Sequence, residues 1–512
     1  MNTDSSNTET ATSAVPNPYF QIFVLTLATF MATLDATVVT VSLPKMASDL
    51  SSTPTEVIWT VSAYIVAMAA ILPISGWIAT YFGRKNYYMF CVVGFTVTSL
   101  LCGLAQSLES LVFFRVLQGL TSGGLASSEQ AIIADITPQE KLGRAFSIYA
   151  FGVSFAPILG PTLGGFITDT LSWHWIFFIN LPIGIVSLIL TGLFVKESEA
   201  AKEASREFRR SGKAVDWLGI ILFVTGIAAL VLVLEKGPKE GWFDSDFVLL
   251  LAAYSFFALL IGITWEYYHE KPAVDVFILK HRGFTGALIL ALTAGFVISG
   301  TNFLIPFFSQ TLLGYTAMDA GMISLPGTIV QLIGIQIVGY LADKFEIRRL
   351  ILFGLVSMIF SIWYFATLNL DASFYDLSVA RTLQLFSLSF LAVTVNTAAY
   401  YGLPPEKNNS AAALLNLARN MGMSFGIALT STLVALRTQT YINNTGYHTT
   451  ELNPNYTEAV KKIAQSLQEH GLTAAQAAAK AKAMIWERVI EQSTMNAIID
   501  AFMLYIVLHI CV

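Results

Sequence analysis

Four ionisable side chains, Asp35, Arg115, Glu129 and Arg419, stand inside long apolar runs of this chain of 512 residues. A charge in hydrocarbon is costly, so an acid or base kept there pairs with a partner or faces a water-filled path, and by default it marks function. Asp35 carries the clearest chemistry. Burial raises a carboxyl pKa and a nearby cation lowers it, and the balance brings such a group near the working pH. Protonation would neutralise the acid and change its affinity for a substrate. The competing reading of an Asp35–Arg115 pair is a brace between two helices. Glu129 reads as an attraction site for cations at an inner mouth or as a solvated helix-end residue. Asn416, Arg419 and Asn420 recur at i, i+3 and i+4, so they share one helical face, which lipid would make costly and which is expected to line a cavity. Asn302, Gln331, Gln336, Gln384 and Asn396 are amides in apolar runs that either bond between helices or meet substrate. The candidate substrate contacts are thus Asp35, Glu129, Asn302, Asn396, Asn416, Arg419 and Asn420. Phe155, Trp59 and Met423 supply a pliable pocket lining or ordinary packing.

Other chemistries lack their residues. The six histidines show no HExxH or other ligand spacing, no Walker-type loop offers ATP hydrolysis, and no catalytic soluble domain fits between the apolar runs. A membrane enzyme or sensor therefore has no recognisable site, and no metal or cofactor is expected. Cys91, Cys102 and Cys511 lie in apolar stretches without CxxC spacing and read as small buried hydrophobes. The net charge of -5 and basic residues scattered over short loops argue against nucleic acid.

The elements that hold these residues are membrane helices. The chain is 55% hydrophobic and 12% charged, against about 25% charged in a soluble domain. Its mean hydropathy is +0.63. Fourteen apolar runs are long enough to cross a bilayer: 19–43, 57–80, 87–106, 108–133, 143–168, 174–195, 217–236, 247–267, 284–309, 317–341, 350–368, 379–402, 410–434 and 493–512. Alternate loops hold seventeen Lys and Arg, Lys213 and Lys271 among them, against Lys45, Lys236 and Lys239 on the other side. By the positive-inside rule both termini are cytoplasmic. Residues 1–18 are polar and lack a basic start, and so read as a cytoplasmic disordered tail rather than a signal peptide. The chain stops at Val512 while still apolar, so the last span is expected to lack a flanking polar anchor.

Segment 435–492 is long and external, with two helix-forming stretches, 457–468 and 473–490. Val460, Ile463, Leu467, Met484, Ile485 and Val489 give them an apolar face. A small hairpin follows, either a solvated cap over the outer mouth or a docking site for an external partner. At about 1.5 Å per residue, Asp35 lies about 13 Å from the outer end of its span and Arg115 about 10 Å from that of its own. Pro161 falls at the same level and leaves the Pro157 carbonyl without its usual donor, which Arg115 is expected to supply. Glu129 comes out near the cytoplasmic mouth.

An internal repeat divides the chain. Gly76-Trp-Ile-Ala-Thr80-Tyr-Phe-Gly83-Arg84-Lys85 follows the second span and Gly339-Tyr-Leu-Ala-Asp343-Lys-Phe-Glu346-Ile-Arg348-Arg349 the tenth, Gly76 and Thr80 matching Gly339 and Asp343. Parallel repeats of this kind mark transporters with a site near the midplane between halves. The expected organisation is a six-helix bundle over 19–195, a linker over 196–283 carrying two extra spans that sit between the halves, and a second six-helix bundle over 284–512.

These motifs resemble those of the major facilitator transporters. The first copy resembles the loop motif Gly-x-x-x-Asp-x-x-Gly-Arg-Lys, in which small residues let helices approach and charges form a cytoplasmic latch; Thr80 stands where the motif has its acid, and Glu346 replaces the second glycine of the other copy. Leu111-Val-Phe-Phe-Arg115-Val-Leu-Gln118-Gly119 is similar to the family's arginine motif, and Gly152-Val-Ser-Phe-Ala-Pro157-Ile-Leu-Gly160-Pro161-Thr-Leu-Gly164-Gly165 to the antiporter motif of drug exporters. With Leu34-Asp35-Ala-Thr37, Trp173-His-Trp175 through Asn180-Leu-Pro182, and Asn416-Leu-Ala-Arg419-Asn420, the chain is identified as resembling the fourteen-span drug:proton antiporters of the EmrB/QacA type along nearly its whole length.

The resemblance implies the major facilitator fold, two pseudo-symmetric six-helix bundles plus two inserted helices. It implies an exporter of hydrophobic drugs or toxic compounds, driven by proton entry across a bacterial inner membrane, with Asp35 and Arg115 in proton coupling. It also implies that an EmrA-like periplasmic adaptor and a TolC-like outer-membrane channel are partners, with 435–492 the docking surface. Export of one defined metabolite is the alternative within transport.

Overall fold

The computed structural model describes residues 17–512 apart from 211–215, 270–271, 448 and 451. The tail expected over 1–18 thus lies almost wholly outside the described residues, as do Lys213 and Lys271. The described residues form helices and turns without a strand. In chain order the first eight helices are α1 (Pro18–Asp49), α2 (Pro54–Val57), α3 (Trp59–Phe82), α4 (Arg84–Gly103), α5 (Leu108–Ile136), α6 (Leu142–Thr170), α7 (Trp175–Phe178) and α8 (Asn180–Phe194). The middle of the chain gives α9 (Glu199–Arg210), α10 (Trp217–Glu240) and α11 (Asp246–Tyr268). Then come α12 (Arg282–Phe307), α13 (Ala317–Ala342), α14 (Ile347–Ala366), α15 (Phe374–Tyr400), α16 (Asn408–Gly446), α17 (Pro454–Glu469) and α18 (Ala474–Ile510).

Backbone polar groups in hydrocarbon must bond within their own segment, which is why these apolar runs are helical. At the end opposite the basic loops, the helices start on side-chain caps: Ser107 with Ser110, Thr316 with Asp319, Ser373 with Asp376 and Thr473 with Gln476 form capping boxes. These bonds satisfy first-turn N–H groups that the helix itself leaves unpaired.

Among the described residues, twelve helices are long and apolar enough to cross a membrane, counting each short lead-in turn with the helix it joins. The fourteen expected spans are reached only with α5 and α16, which are long but more polar. Their polarity has a structural reason. α5 lies among α1, α3 and α4, and α16 among α12, α3 and α18, so neighbouring helices rather than lipid face much of their surface. α1, α3, α4, α5, α6 and α8 pack on one another, and α12 to α16 pack with α18.

Two expectations about the extra elements change. Of the two inserted helices, only α10 touches both sets, bridging α3 and α16, while α11 packs on the outer side of α10. The bridge is apolar at Ala69, Ile227, Val231 and Met421. Polar contacts frame it, Ser62 with Glu235 and the Trp242 indole donating to Thr432 Oγ1 at 2.8 Å. In segment 435–492, α17 packs on the start of α18 through Val460, Ile463, Leu467, Ala464, Ala477 and Ala481. Met484, in contrast, is exposed. The last span does not begin afresh at 493: α18 runs unbroken from Ala474 to Ile510, because its alanine-rich first part is itself helix-forming and nothing stops it.

Candidate functional site

The centre of the first bundle is a buried ion pair. Arg115 Nη1 stands 2.5 Å from Asp35 Oδ2, with both side chains fully buried. Arg115 also donates from Nη1 to Gln118 Oε1 at 2.8 Å and from Nε to the Thr60 carbonyl at 2.9 Å. The other carboxylate oxygen, Oδ1, accepts from Gln118 Nε2 at 3.2 Å and from Asn180 Nδ2 at 2.8 Å. Asn180 donates on to Ser99 Oγ at 3.0 Å, and Ser99 to the Phe177 carbonyl at 2.9 Å. The Tyr64 ring lies 4.2 Å from the guanidinium carbon, a cation–π contact that helps hold a desolvated charge. Four helices, α1, α3, α5 and α8, thus meet on one carboxylate and its cation, and α4 joins through Ser99.

Asp35 and Arg115 come together as their matched depths require. Gln118 and Asn180 were legible as motif residues but not as ligands of the carboxylate, because side-chain direction across four helices is not written in depth alone. The expected bond from Arg115 to the Pro157 carbonyl is absent: Nε and Nη1 are taken by Thr60, Gln118 and Asp35, and Nη2 has no partner. α6 packs along α1 instead. Gly160 abuts Thr37, and a Cβ on Gly164 would stand 3.1 Å from the Val38 carbonyl, while Gly165 has open space around it.

Glu129 is not at a solvated mouth. It is fully buried, accepting from Thr26 Oγ1 at 2.8 Å and from the Thr29 hydroxyl. α1 covers this turn of α5 through Thr26 and Thr29. The shared face of α16 also divides. Asn416 Nδ2 donates to Gln130 Oε1 of the first bundle at 3.0 Å, and Gln130 Nε2 to Tyr149 at 2.9 Å. Arg419 Nη2 donates to Asn396 Oδ1 at 3.0 Å, and Asn420 turns back to the Asn416 carbonyl at 2.9 Å. Asn416 and Arg419 therefore tie α16 to different neighbouring helices, while Asn420 bonds within α16. Of the other amides, Gln336 reaches the Ser147 carbonyl at 3.4 Å. Phe155 stacks between Phe30 and Phe151, and Trp59 lies under Lys236.

Hydrogen bonds between the two sets of helices gather at the basic end. Arg84 pairs with Asp135 inside the first bundle, both buried, and donates across to the Pro405 carbonyl at 2.7 Å. Asn408 Nδ2 reaches Asp135 Oδ1 at 2.8 Å. Thr80, which lacks the motif's charge, accepts from Asn409 Nδ2 at 2.9 Å. In the second copy of the motif, Asp343 pairs with Arg144 Nε at 3.2 Å. Burial holds the Asp343 carboxyl above its ordinary range, with Arg144 pulling it back. The glycines set the approach. A Cβ on Gly76 would stand 2.9 Å from the Asn409 carbonyl, and Gly339 abuts Ser147. Gly83 has φ +92°, a backbone shape that favours glycine, ahead of Arg84. Lys85 donates to the Gly192 carbonyl at 3.1 Å within the first bundle.

Buried charges in the spans escaped the sequence reading, Arg381 foremost. Arg381 in α15 is buried, donating to Gln384 Oε1 and Asn302 Oδ1, each at 2.6 Å. Its signal was available: Arg381-x-x-Gln384 repeats Arg115-x-x-Gln118.

Two sets of helices joined at one end, a duplicated latch, and an ion pair buried in one bundle define a secondary transporter of the parallel-repeat kind. The chain belongs to the Major Facilitator Superfamily, whose family pattern matches residues 25–427. It is 32% identical over 455 residues to the multidrug export protein EmrB of Escherichia coli (strain K12), covering 88% of this chain and 86% of that protein. The fatty acid resistance protein FarB of Neisseria gonorrhoeae is 30% identical, with 88% and 86% covered. Among solved structures the human organic anion transporter MFSD10 (TETRAN) superposes with a TM-score of 0.61 at 12% identity, over 96% of this chain and all of that one, a likeness of fold. The protein is a multi-pass membrane transporter, not an enzyme.

Proposed function

We propose that this protein exports hydrophobic drugs or other toxic compounds from the cytoplasm in exchange for protons, by alternating access between its two bundles. The observation that carries the proton step is the Asp35 cluster. A proton on Asp35 removes one side of the ion pair, so it weakens the tie between α1 and α5. Substrate, proton and helix position are then linked through one carboxylate. The names of the relatives, a multidrug export protein and a fatty acid resistance protein, support a hydrophobic toxic cargo.

Both termini face the cytoplasm in this reading, the basic end is the cytoplasmic end, and the membrane is a bacterial inner membrane. The latches at Arg84, Thr80 and Asp343 then close the inner mouth, as an outward-facing state requires. An EmrA-like adaptor, leading to a TolC-like channel, docks on the external hairpin of α17 and the start of α18. Proteoliposomes under an imposed pH gradient test the central claim against a panel of charged and neutral compounds. The parent protein should drive uptake of several hydrophobic compounds, and Asp35→Asn should lose proton-driven transport while keeping exchange of substrate for substrate. Full proton-driven transport by Asp35→Asn would sink it.

A further inference from the structure

A shift of 266 residues carries Arg115 onto Arg381, Gln118 onto Gln384 and Asp35 onto Thr301. The bonds repeat with the residues. Arg381 Nη1 donates to Gln384 Oε1 at 2.6 Å, and Gln384 Nε2 donates to Thr301 Oγ1 at 3.0 Å, as Gln118 donates to Asp35. What the second bundle lacks is the carboxylate. Among the described residues the partners of Arg381 are neutral amides, and its Nε is buried without any partner. A guanidinium desolvated among neutral groups leaves a charge uncompensated. An anion from outside the chain would complete the arrangement.

There is room for one. Arg381 lines a cavity of about 270 Å³ between α12, α13 and α15 at the end opposite the latches. Asn302, Gln310 and Ser324 give it further polar groups, and Ile305 and Pro306 an apolar wall. Gln310 is brought there by a π-turn over Phe308–Leu312 that follows Pro306. Asn302 is exposed, so the cavity is open. Its only charged lining residue is Arg381.

We propose that this cavity binds the carboxylate of an amphiphilic organic acid, whose oxygens take against Arg381 the place that Asp35 holds against Arg115. The inference rests on the export reading and names one class of its cargo. One buried cation matches one negative charge. The volume falls below the roughly 300–1,000 Å³ of drug-sized sites, so it takes the head and first carbons of the molecule and leaves the tail outside. Asn302 and Ser324, which line the same cavity, supply the donors for the second oxygen in this arrangement.

Binding to the full chain in phosphatidylcholine vesicles, which bring no net anionic headgroup, tests the site. The probes are decanoate, decanol and decyltrimethylammonium, read by equilibrium binding and by thermal stabilisation. Decanoate should bind more tightly than the other two. Arg381→Gln should weaken decanoate by about 10- to 100-fold, the range for a charge-assisted bond, and leave decyltrimethylammonium unchanged. Asn302→Asp guards against a folding artefact: it supplies an internal carboxylate beside Arg381, so it should raise the melting temperature and abolish decanoate binding. Decanoate affinity unaltered in both variants, or decanoate and the cation weakened equally, overturns the proposal. If binding follows this pattern but no pH gradient drives any compound, the site stands and the export reading falls.

Discussion

In the first bundle a buried arginine meets a carboxylate of its own chain; in the second, the same arginine and glutamine meet only amides and a hydroxyl. In the proposed reading, that one difference lets two halves built alike do different work, one holding an exchangeable proton and the other a fixed positive charge. Asn180 shows how finely the first site is set, since its amide is shared between Asp35 and Ser99. Asn180→Ala removes a charge-assisted donor, a contribution of about 1.5–3 kcal/mol to the charged form. Proton-driven export should fall by at least about tenfold, and substrate-for-substrate exchange should persist. Comparing pH-driven uptake with counterflow in the same vesicles checks this, and equal loss of both would reduce Asn180 to a structural role.

At the scale of elements, the antiporter-like glycines of α6 have unequal duties. Gly160 lies against Thr37 of α1, so an added Cβ must displace α1 or α6; Gly165, one turn on, meets nothing within 4 Å. Overpacking a tight helix contact costs about 1–3 kcal/mol, whereas an open surface change stays within about 0.5 kcal/mol. Gly160→Ala should therefore lower the melting temperature in detergent, with Gly165→Ala near the parent; the reverse order would contradict the packing. The same contrast says what was readable beforehand. Hydropathy found the spans because lipid imposes a simple rule on any surface that faces it. It said less about α5 and α16, whose surroundings are other helices, and it placed Glu129 by depth while missing that α1 covers it. Depth and spacing brought Asp35 to Arg115. They did not reveal that Asn416 and Arg419 would turn to different partners, because the rotation of a helix among polar neighbours depends on all of them together.

Across the whole molecule, the two motif copies close the same end with different chemistry. Thr80 uses a neutral bond to Asn409, and Asp343 an ion pair to Arg144 with burial working against its charge. Arg144 is partly exposed, so the pair contributes little to overall stability; its leverage is on the balance between two states that differ by a few kcal/mol. Arg144→Asp places two carboxylates across the seam, which repel where the parent attracts, and the closed basic end should lose population. Asp343→Arg should do the same from the other side. The double swap Arg144→Asp/Asp343→Arg restores opposite charges and should recover the parent distribution. A cysteine at position 302, read by its labelling rate with a membrane-impermeant thiol reagent in each background, reports on the opposite end, where Asn302 is exposed in this state. Slower labelling in both single variants, with recovery in the double swap, is the expected result. Labelling that ignores all three changes would mean that the Gly76 and Arg84 contacts alone hold this end shut.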